Sequence, residues 1–247
     1  MRVLLACGFL LLAVSAQADN DINEKVAAAL AAESRSEAER DRDWNRLPLE
    51  TLTFMGLKDD MKVLELIPGG GWYTRVLAPV LADNGKLYVA ISTGRVTESL
   101  LGEPGFEQVE ALQTTANLNR PQGSRFYAVD DFDFGLTGLD MVLTFRNLHN
   151  FDSASRSRIN SAVFKSLRHG GLYGVVDHTR RHMEALDDEN RRRIDPVLVI
   201  KEMLEHGFEF VDYTDLHFRA DDELEYEVGR RSVSGNTDRF TMLFRKP

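Results

Sequence analysis

Short apolar runs recur along the chain and alternate with segments whose apolar residues follow a helical period. Seven runs have the length and composition of β-strands: 62–67, 86–91, 125–129, 139–145, 172–176, 208–213 and 240–245. Helical patterns lie between most of them, at 73–81, at 96–118 with an interruption at 102–105, at 153–170 and at 195–207. Such alternation is typical of a parallel sheet covered by helices on both faces. The pattern predicts a doubly wound, mostly parallel α/β fold.

Two of the predicted helices have clear boundaries. Asp152 or Ser153 can accept hydrogen bonds from the free amides at the start of one helix, and Gly170 stops it. Asp195-Pro196 begins the other, because Asp suits the capping position and Pro suits the first turn. Gly207 ends that helix. Both helices fit between predicted strands.

The chain reads as one domain with a helical extension. A polar, alanine-rich helix is predicted over 21–45, with a break at Leu47-Pro48. There is no internal repeat and no linker rich in Gly, Pro or Ser. We therefore predict a helical segment at 19–57 that packs on a single α/β domain at 58–247.

The first residues have the pattern of a cleaved signal peptide. Arg2 precedes an uncharged apolar run over 3–14, and Ala16 and Ala18 form the small-residue pattern of a cleavage site. The run is shorter than the roughly 20 apolar residues that span a bilayer. We expect cleavage after Ala18, a periplasmic or secreted protein, and no stable membrane insertion afterwards. An inefficient signal that leaves the protein inside the cell is the alternative.

The composition argues against several kinds of chemistry and of binding partner. Cys7 is the only cysteine and would leave with the signal, which excludes disulfides, cysteine nucleophiles and cysteine-bound metals in the mature chain. The formal net charge of −9 disfavours a nucleic-acid partner. The acidic run at 221–227 lacks the spacing of a calcium loop, and the histidines lack zinc spacing, so no metal site is predicted. The sequence is silent on oligomeric state.

A glycine-rich turn follows the first predicted strand. Glu65 lies near the end of that strand, and Gly69, Gly70 and Gly71 follow it. Glycines allow a ligand close to the backbone and tolerate positive φ, and the amides that begin the next helix favour an anionic group. Thr74 replaces the last glycine of the nicotinamide-binding pattern. A tight turn without a ligand remains an alternative.

Four segments share the order and residue types of the motifs of one enzyme superfamily. They are Glu65-x-x-x-Gly69-x-Gly71, Lys86-Leu87-Tyr88-Val89-Ala90, Leu139-Asp140-Met141-Val142-Leu143 and Leu167-Arg168-His169-Gly170-Gly171-Leu172. This succession resembles the class I S-adenosylmethionine (SAM) methyltransferases. From about 40 to 247 the chain closely resembles the group of predicted periplasmic methyltransferases, through segments 68–74, 145–150, 193–196 and 237–247.

The resemblance implies a Rossmann-like, seven-stranded sheet whose last strand is antiparallel. SAM would lie across the carboxyl ends of the first strands. Glu65 corresponds to the acidic position of the first motif, and Gly69 and Gly71 to the glycines beside the methionine part of SAM. Trp72 and Tyr73 open the next helix, where they either wall the cofactor pocket or belong to the ordinary core.

The adenosine end departs from the superfamily pattern. Asp130 or Asp131 corresponds to an acceptor for the adenine amine. Ser92, however, follows the second strand where relatives carry the carboxylate that grips the ribose. A neutral hydrogen bond is weaker than a charged one. Ile67 also replaces the first glycine of the common pattern.

Candidate acceptor-binding residues follow the fourth and fifth strands. Arg146, Asn147 and His149 follow the fourth, and His149 is the preferred general base because its ordinary pKa lies near neutrality. Asp177-His178 ends the fifth strand, where it either orients a base or forms a cap and a surface imidazole. A structural histidine is the alternative role for His149.

Five further arginines are dense for an acidic chain. They lie among acidic residues, and such mixed charge is typical of a solvated helix. The alternative is that these arginines cover an anionic substrate. The residues are Arg180, Arg181, Arg191, Arg192 and Arg193.

These observations favour a SAM-dependent methyltransferase that acts on a small molecule or an envelope component. Glu65 and the glycines Gly69, Gly70 and Gly71 would hold SAM, and Arg146 with its neighbours would face the acceptor. The alternative is a non-catalytic ligand-binding protein that retains the fold. Two observations keep this alternative open. Ser92 stands where relatives carry the ribose-binding carboxylate, and an exported protein would work outside the cytoplasm, where SAM is made.

Overall fold

The computed structural model describes residues 22–247. The predicted signal peptide, with Cys7 and the cleavage site after Ala18, lies outside the described residues. The helices are α1 (22–31), α2 (Glu37–Arg40), α3 (Asp43–Arg46), α4 (Pro48–Phe54), α5 (Thr74–Leu81), α6 (Gly94–Ser99), α7 (Ser153–Ser166) and α8 (Pro196–Glu205). The strands are β1 (Lys62–Leu66), β2 (Lys86–Ala90), β3 (Glu110–Ala111), β4 (Leu118–Asn119), β5 (Ala128–Val129), β6 (Leu139–Phe145), β7 (Leu167–His178), β8 (Glu209–Thr214) and β9 (Arg239–Arg245). A 3₁₀ turn covers Leu148–Asn150.

Seven strands form one sheet in the order β3-β2-β1-β6-β7-β9-β8. β1 pairs in parallel with β2 and with β6, whereas β9 runs antiparallel to both of its neighbours. Both Leu87 of β2 and Met141 of β6 are in register with Val63 of β1. The predicted doubly wound, mostly parallel, seven-stranded sheet with an antiparallel last strand is confirmed.

The sheet separates two apolar layers because successive side chains of a strand point to opposite faces. Val63 packs in one cluster with α1, α4 and α5, whereas Leu64 packs in the other with α7 and α8. Val26 of α1 is 1% exposed and Leu52 of α4 is fully buried, so the helices that precede the sheet complete the first layer. None of the helices in the described chain is long and apolar enough to cross a membrane.

The helix starts follow the capping signals. Asp152 accepts a 2.7 Å hydrogen bond from the amide of Ser155, and Asp195 accepts one of 2.9 Å from the amide of Val197. The predicted single helix over 21–45 is wrong, because a capping box begins a new helix inside it. The Ser36 side chain accepts from the amide of Glu39, and the Glu39 carboxylate accepts from the amide of Ser36.

The third strand was also predicted wrongly. Ala128 and Val129 pair antiparallel with β4 in a separate two-stranded ribbon. The sheet edge is taken instead by β3, which lies inside the region predicted as helix. The Gly102-to-Gly105 interruption limits the helix there to α6, and buried Phe106 anchors the following segment to the first apolar layer. Tertiary packing overrides the local strand signal at 125–129.

Candidate active site

A cavity of about 300 Å³ opens at the carboxyl ends of β1, β6 and β7. β1 and β6 are the strands between which the order of the sheet reverses, the place where open α/β sheets bind ligands. Its lining includes Arg46, Glu65, Ile67, Gly69, Gly70, Trp72, Tyr73, Phe145, Arg146, Asn147, His149 and His178. The structure thus brings the predicted glycine-rich turn and the predicted acceptor residues to one site.

Three strands end in a residue with left-handed backbone. Ile67 follows β1 with φ of 52°, Ile91 follows β2 with 65°, and Arg146 follows β6 with 64°. This conformation is rare for β-branched residues and tends to occur at functional sites. It turns the chain sharply out of the sheet and opens the crevice. Glycine would adopt this conformation at position 67 with less strain than Ile67 does.

The three glycines have different surroundings. A Cβ atom on Gly70 would meet only the guanidinium of Arg95, at 3.5 Å, and one on Gly69 would meet nothing within 4 Å. A Cβ atom on Gly71 would lie 2.5 Å from a side-chain carbon of Leu100. Gly69 and Gly70 therefore present open backbone to the cavity, whereas Gly71 allows α6 to pack against the turn.

Glu65 is a buried carboxyl group beside the cavity. It is 3% exposed and accepts a 2.6 Å hydrogen bond from the Thr74 hydroxyl. Burial raises the pKa of Glu65 to about 7, although Thr74 and the nearby Arg46 act in the opposite direction. Within residues 22–247 Glu65 has no ion-pair partner at 4.0 Å or less.

Arg46 is a buried cation at the same cavity. Its guanidinium carbon lies 4.2 Å from the centroid of the Trp72 ring, and its Nε has no hydrogen-bond partner among the described residues. Burial, followed by repulsion from Arg146 and Arg42, lowers the pKa of Arg46 to about 9. The side chain is held in place by stacking, with its charge available to a ligand.

Trp72 and Tyr73 are both pocket wall and core. The indole of Trp72 donates a 2.9 Å hydrogen bond to the carbonyl of Glu39, which ties the wall to the N-terminal helices. The Tyr73 ring stacks on Phe145 with 3.5 Å between centroids. Both residues belong to the first apolar layer and also line the cavity. The two roles that the sequence offered as alternatives, pocket wall and core, therefore apply to the same side chains.

His149 and Asp177 form a buried pair. His149 Nδ1 lies 2.5 Å from an Asp177 carboxylate oxygen, and the other oxygen accepts a 3.1 Å hydrogen bond from the His149 amide. Asp177 is fully buried. Because Nδ1 faces the carboxylate, Nε2 is the ring nitrogen that is left to accept a proton. The sequence indicated Asp177 as a possible orienting group but did not pair it with His149.

His178 and Asn147 support the cavity floor. Nδ1 of His178 lies 3.0 Å from the Thr237 hydroxyl. Burial, then His149 and Arg146, lower the pKa of His178 well below its ordinary value, so the ring is neutral. The Asn147 amide nitrogen lies 3.1 Å from the carbonyl of Leu66 and thereby ties the end of β1 to the end of β6.

The residues predicted for the adenosine end lie outside this cavity's lining. Ser92 is exposed and has a φ of 54°. Asp130 is exposed as well, and the exposed Asp131 makes a 3.0 Å ion pair with Arg158. Asp131 is thus engaged at the surface beside α7.

The charged segment 180–193 is not helical, so the predicted solvated helix is wrong. Arg193 is 2% exposed and makes two 2.9 Å hydrogen bonds to the Asp222 carboxylate. Arg192 lines the cavity. Sequence reasoning missed Arg46 because its contact with Trp72 joins distant parts of the chain.

Comparison with known proteins supports the fold. No family model matches the chain. An uncharacterised methyltransferase from Synechocystis sp. is 30% identical over 135 residues, which are 54% of this chain and 53% of that protein. The match therefore spans about half the length of this relative.

Solved structures resemble nearly the whole chain. A SAM-dependent methyltransferase from Aquifex aeolicus has a TM-score of 0.59 at 14% identity, covering 84% of this chain and 93% of its own. The glycopeptide N-methyltransferase MtfA has a TM-score of 0.54 at 18% identity, covering 83% and 97%. The [4+2]-cyclase SpnF has a TM-score of 0.56 at 14% identity, covering 92% and 93%. This protein has the fold of the class I SAM-dependent methyltransferases.

Proposed function

We propose that the protein is an exported SAM-dependent methyltransferase that acts on a small molecule or an envelope component. The observation that carries the proposal is one cavity lined both by the open glycines Gly69 and Gly70 and by His149, whose Nδ1 is engaged by Asp177. The resemblance of fold and the partial sequence match point the same way.

The chain's own groups fit the amino-acid part of such a cofactor. That part carries an ammonium and a carboxylate. Glu65 and Arg46 offer the complementary carboxyl and guanidinium groups, and neither has an ion pair among residues 22–247. Gly70 leaves open space beside them. When bound, SAM supplies a methyl group on a sulfonium, and the electron pair of the broken bond stays on sulfur.

The acceptor site is then the part of the cavity beside His149. Its Nε2 would take the proton that an acceptor oxygen or nitrogen loses on methylation, and Asp177 would stabilise the resulting cation. Asn147 keeps the glycine-rich turn in register with this base through the Leu66 carbonyl. Alignment of acceptor and methyl group provides most of the catalysis in such a displacement.

We expect only moderate affinity at the adenosine end. The second strand is followed by Ser92 instead of a carboxylate. Loss of one charged hydrogen bond reduces binding by on the order of 1–3 kcal/mol, which is roughly 5- to 150-fold. A micromolar dissociation constant is therefore expected.

The test is calorimetric titration of the purified protein with S-adenosylhomocysteine. The wild type should bind it in the micromolar range, and Gly70→Leu should not, because the new side chain would occupy the cavity. Gly102→Leu is the matched control, since a Cβ there meets nothing within 4 Å. Gly71→Val is unsuitable, since it would clash with Leu100 and disturb folding.

Two outcomes would decide against the proposal. Absence of heat and of any thermal shift at millimolar ligand would favour the non-catalytic ligand-binding protein instead. Binding that Gly70→Leu leaves unchanged would place the cofactor elsewhere. The export part is tested separately by fractionating cells that carry the full-length protein with an enzymatic tag; a cytoplasmic signal would contradict it.

A further inference from the structure

A second cavity adjoins the first. It measures about 190 Å³ and shares Arg146, His178, Arg192 and Val228 with the first cavity. Its other lining residues are Arg42, Asn45, Gly229, Ser234, Gly235, Thr237 and Arg239. We call it the arginine cavity. His178 and Arg146 thus stand between the site of His149 and a space with an unusual density of cations.

Arg239 and Arg146 of this cavity have no carboxylate partner among residues 22–247. Arg239 is 5% exposed, and its guanidinium donates to the carbonyls of Asn45 and Thr237, at 2.6 and 3.3 Å. Arg146, which is partly buried, makes no ion pair among the described residues. Burial and mutual repulsion lower the pKa of Arg239 to about 10, and burial lowers that of Arg146. A buried charge without a partner is unfavourable, so the arrangement needs another explanation.

A shortage of carboxylates in the chain does not explain why these two arginines lack partners. The chain has a formal net charge of −9, and three other buried arginines have acidic partners. Arg192, on the rim, is itself bonded to Glu227. Arg239 and Arg146, by contrast, have no carboxylate partner among residues 22–247. This distribution suits a cavity whose negative charge is brought by a ligand.

We propose that the arginine cavity binds an anionic group, a carboxylate or a phosphate, of the methyl acceptor. Arg239 and Arg146 would donate to its oxygens, and exposed Arg42 would add charge at the entrance. The reacting atom of the same molecule would lie in the first cavity beside His149. This inference rests on the proposed methyltransferase function and specifies its acceptor class.

The test measures binding of two simple anions to the purified protein. Inorganic phosphate and succinate are titrated separately by calorimetry and thermal shift, with sodium chloride at matched ionic strength as reference. We expect a response to at least one anion beyond that of chloride, and whichever anion binds identifies the acceptor's charged group. Arg239→Gln should weaken that binding roughly 10- to 100-fold, because a charged hydrogen-bonded contact is lost.

Controls separate this proposal from the cofactor assignment. Exposed Arg231→Gln should change nothing, and Arg42→Gln, at an exposed position, should weaken anion binding slightly. Arg239→Gln should retain binding of S-adenosylhomocysteine, whereas Gly70→Leu should lose it and keep the anion response. If the wild type responds to neither anion beyond chloride, or if Arg239→Gln responds equally, the anionic acceptor is wrong even where S-adenosylhomocysteine binds.

Discussion

Buried arginines behave differently in two regions of this molecule. Arg156 joins α7 to α8 through hydrogen bonds of 2.8 and 2.7 Å to the Glu202 carboxylate, and Arg193 is joined to Asp222 at 2.9 Å. At the carboxyl ends of the strands, by contrast, Arg46 and Arg239 are almost as buried but have no carboxylate partner in the described part of the chain. The first group joins elements of the fold to each other, whereas the second lines cavities, where we propose that it meets an anionic ligand.

Burial and charge indicate function only when they are considered together. A buried ion pair by itself says little about function, because its desolvation is offset within the protein. A buried cation that lines a cavity and lacks a counter-ion is a positive sign of an anionic ligand. Glu65 is the corresponding case of opposite charge, because it is a buried carboxyl group that lines the first cavity. The comparison predicts opposite effects on stability when members of the two groups are changed.

The largest effect is expected from breaking a structural pair. Asp222→Asn would leave the Arg193 guanidinium buried without its counter-ion, at a site where the two side chains are 0% and 1% exposed. We expect the free energy of unfolding to fall by about 3–5 kcal/mol. Urea denaturation followed by circular dichroism measures it. A loss below about 1 kcal/mol would contradict the structural role that we assign to this pair.

A cavity arginine should respond in the opposite direction. Arg146→Met removes a partly buried charge that has no ion pair among residues 22–247, and it keeps most of the side-chain volume. We expect the ligand-free protein to gain roughly 1–2 kcal/mol of stability, which is the lower part of the roughly 1–4 kcal/mol gained in cases where apolar residues replace a buried ion pair. The same urea experiment, run without ligand beside Asp222→Asn, gives the comparison. A destabilisation as large as that of Asp222→Asn would place Arg146 among the structural arginines.

Much of the fold could be predicted because it depends on local signals. The apolar runs located the central strands, and the caps at Asp152 and Asp195 located two helices. The edge strand β3 could not be predicted, because two residues carry no periodicity and their pairing with β2 depends on packing around Phe106. The other edge strand, β8, could be predicted because its six residues are long enough to show a strand pattern.

The candidate site likewise contains residues that could be predicted from the sequence and residues that could not. Glu65, His149 and the glycines could be found because they lie at or just after strand ends, and parallel strands bring those ends to one edge. Arg46 and Arg239 could not be found, since their significance is the absence of a partner in three dimensions. Arg239 did lie in a closing stretch that resembles the relatives, which was the one available signal.

The smallest expected effect concerns the unpaired carboxyl group. Burial raises the pKa of Glu65 from 4.5 to about 7, so the folded protein retains this proton more tightly than the unfolded chain. That contribution to stability is fully present below pH 4.5 and is lost as the pH rises to about 7.

Ligand binding should show the reverse dependence, because an ionised Glu65 attracts the ammonium of S-adenosylhomocysteine. If only the ionised form binds well, affinity should rise about tenfold between roughly pH 6 and pH 8. Calorimetry at both pH values tests this, and Glu65→Gln should abolish the dependence; an equal rise in that variant would mean that another group titrates.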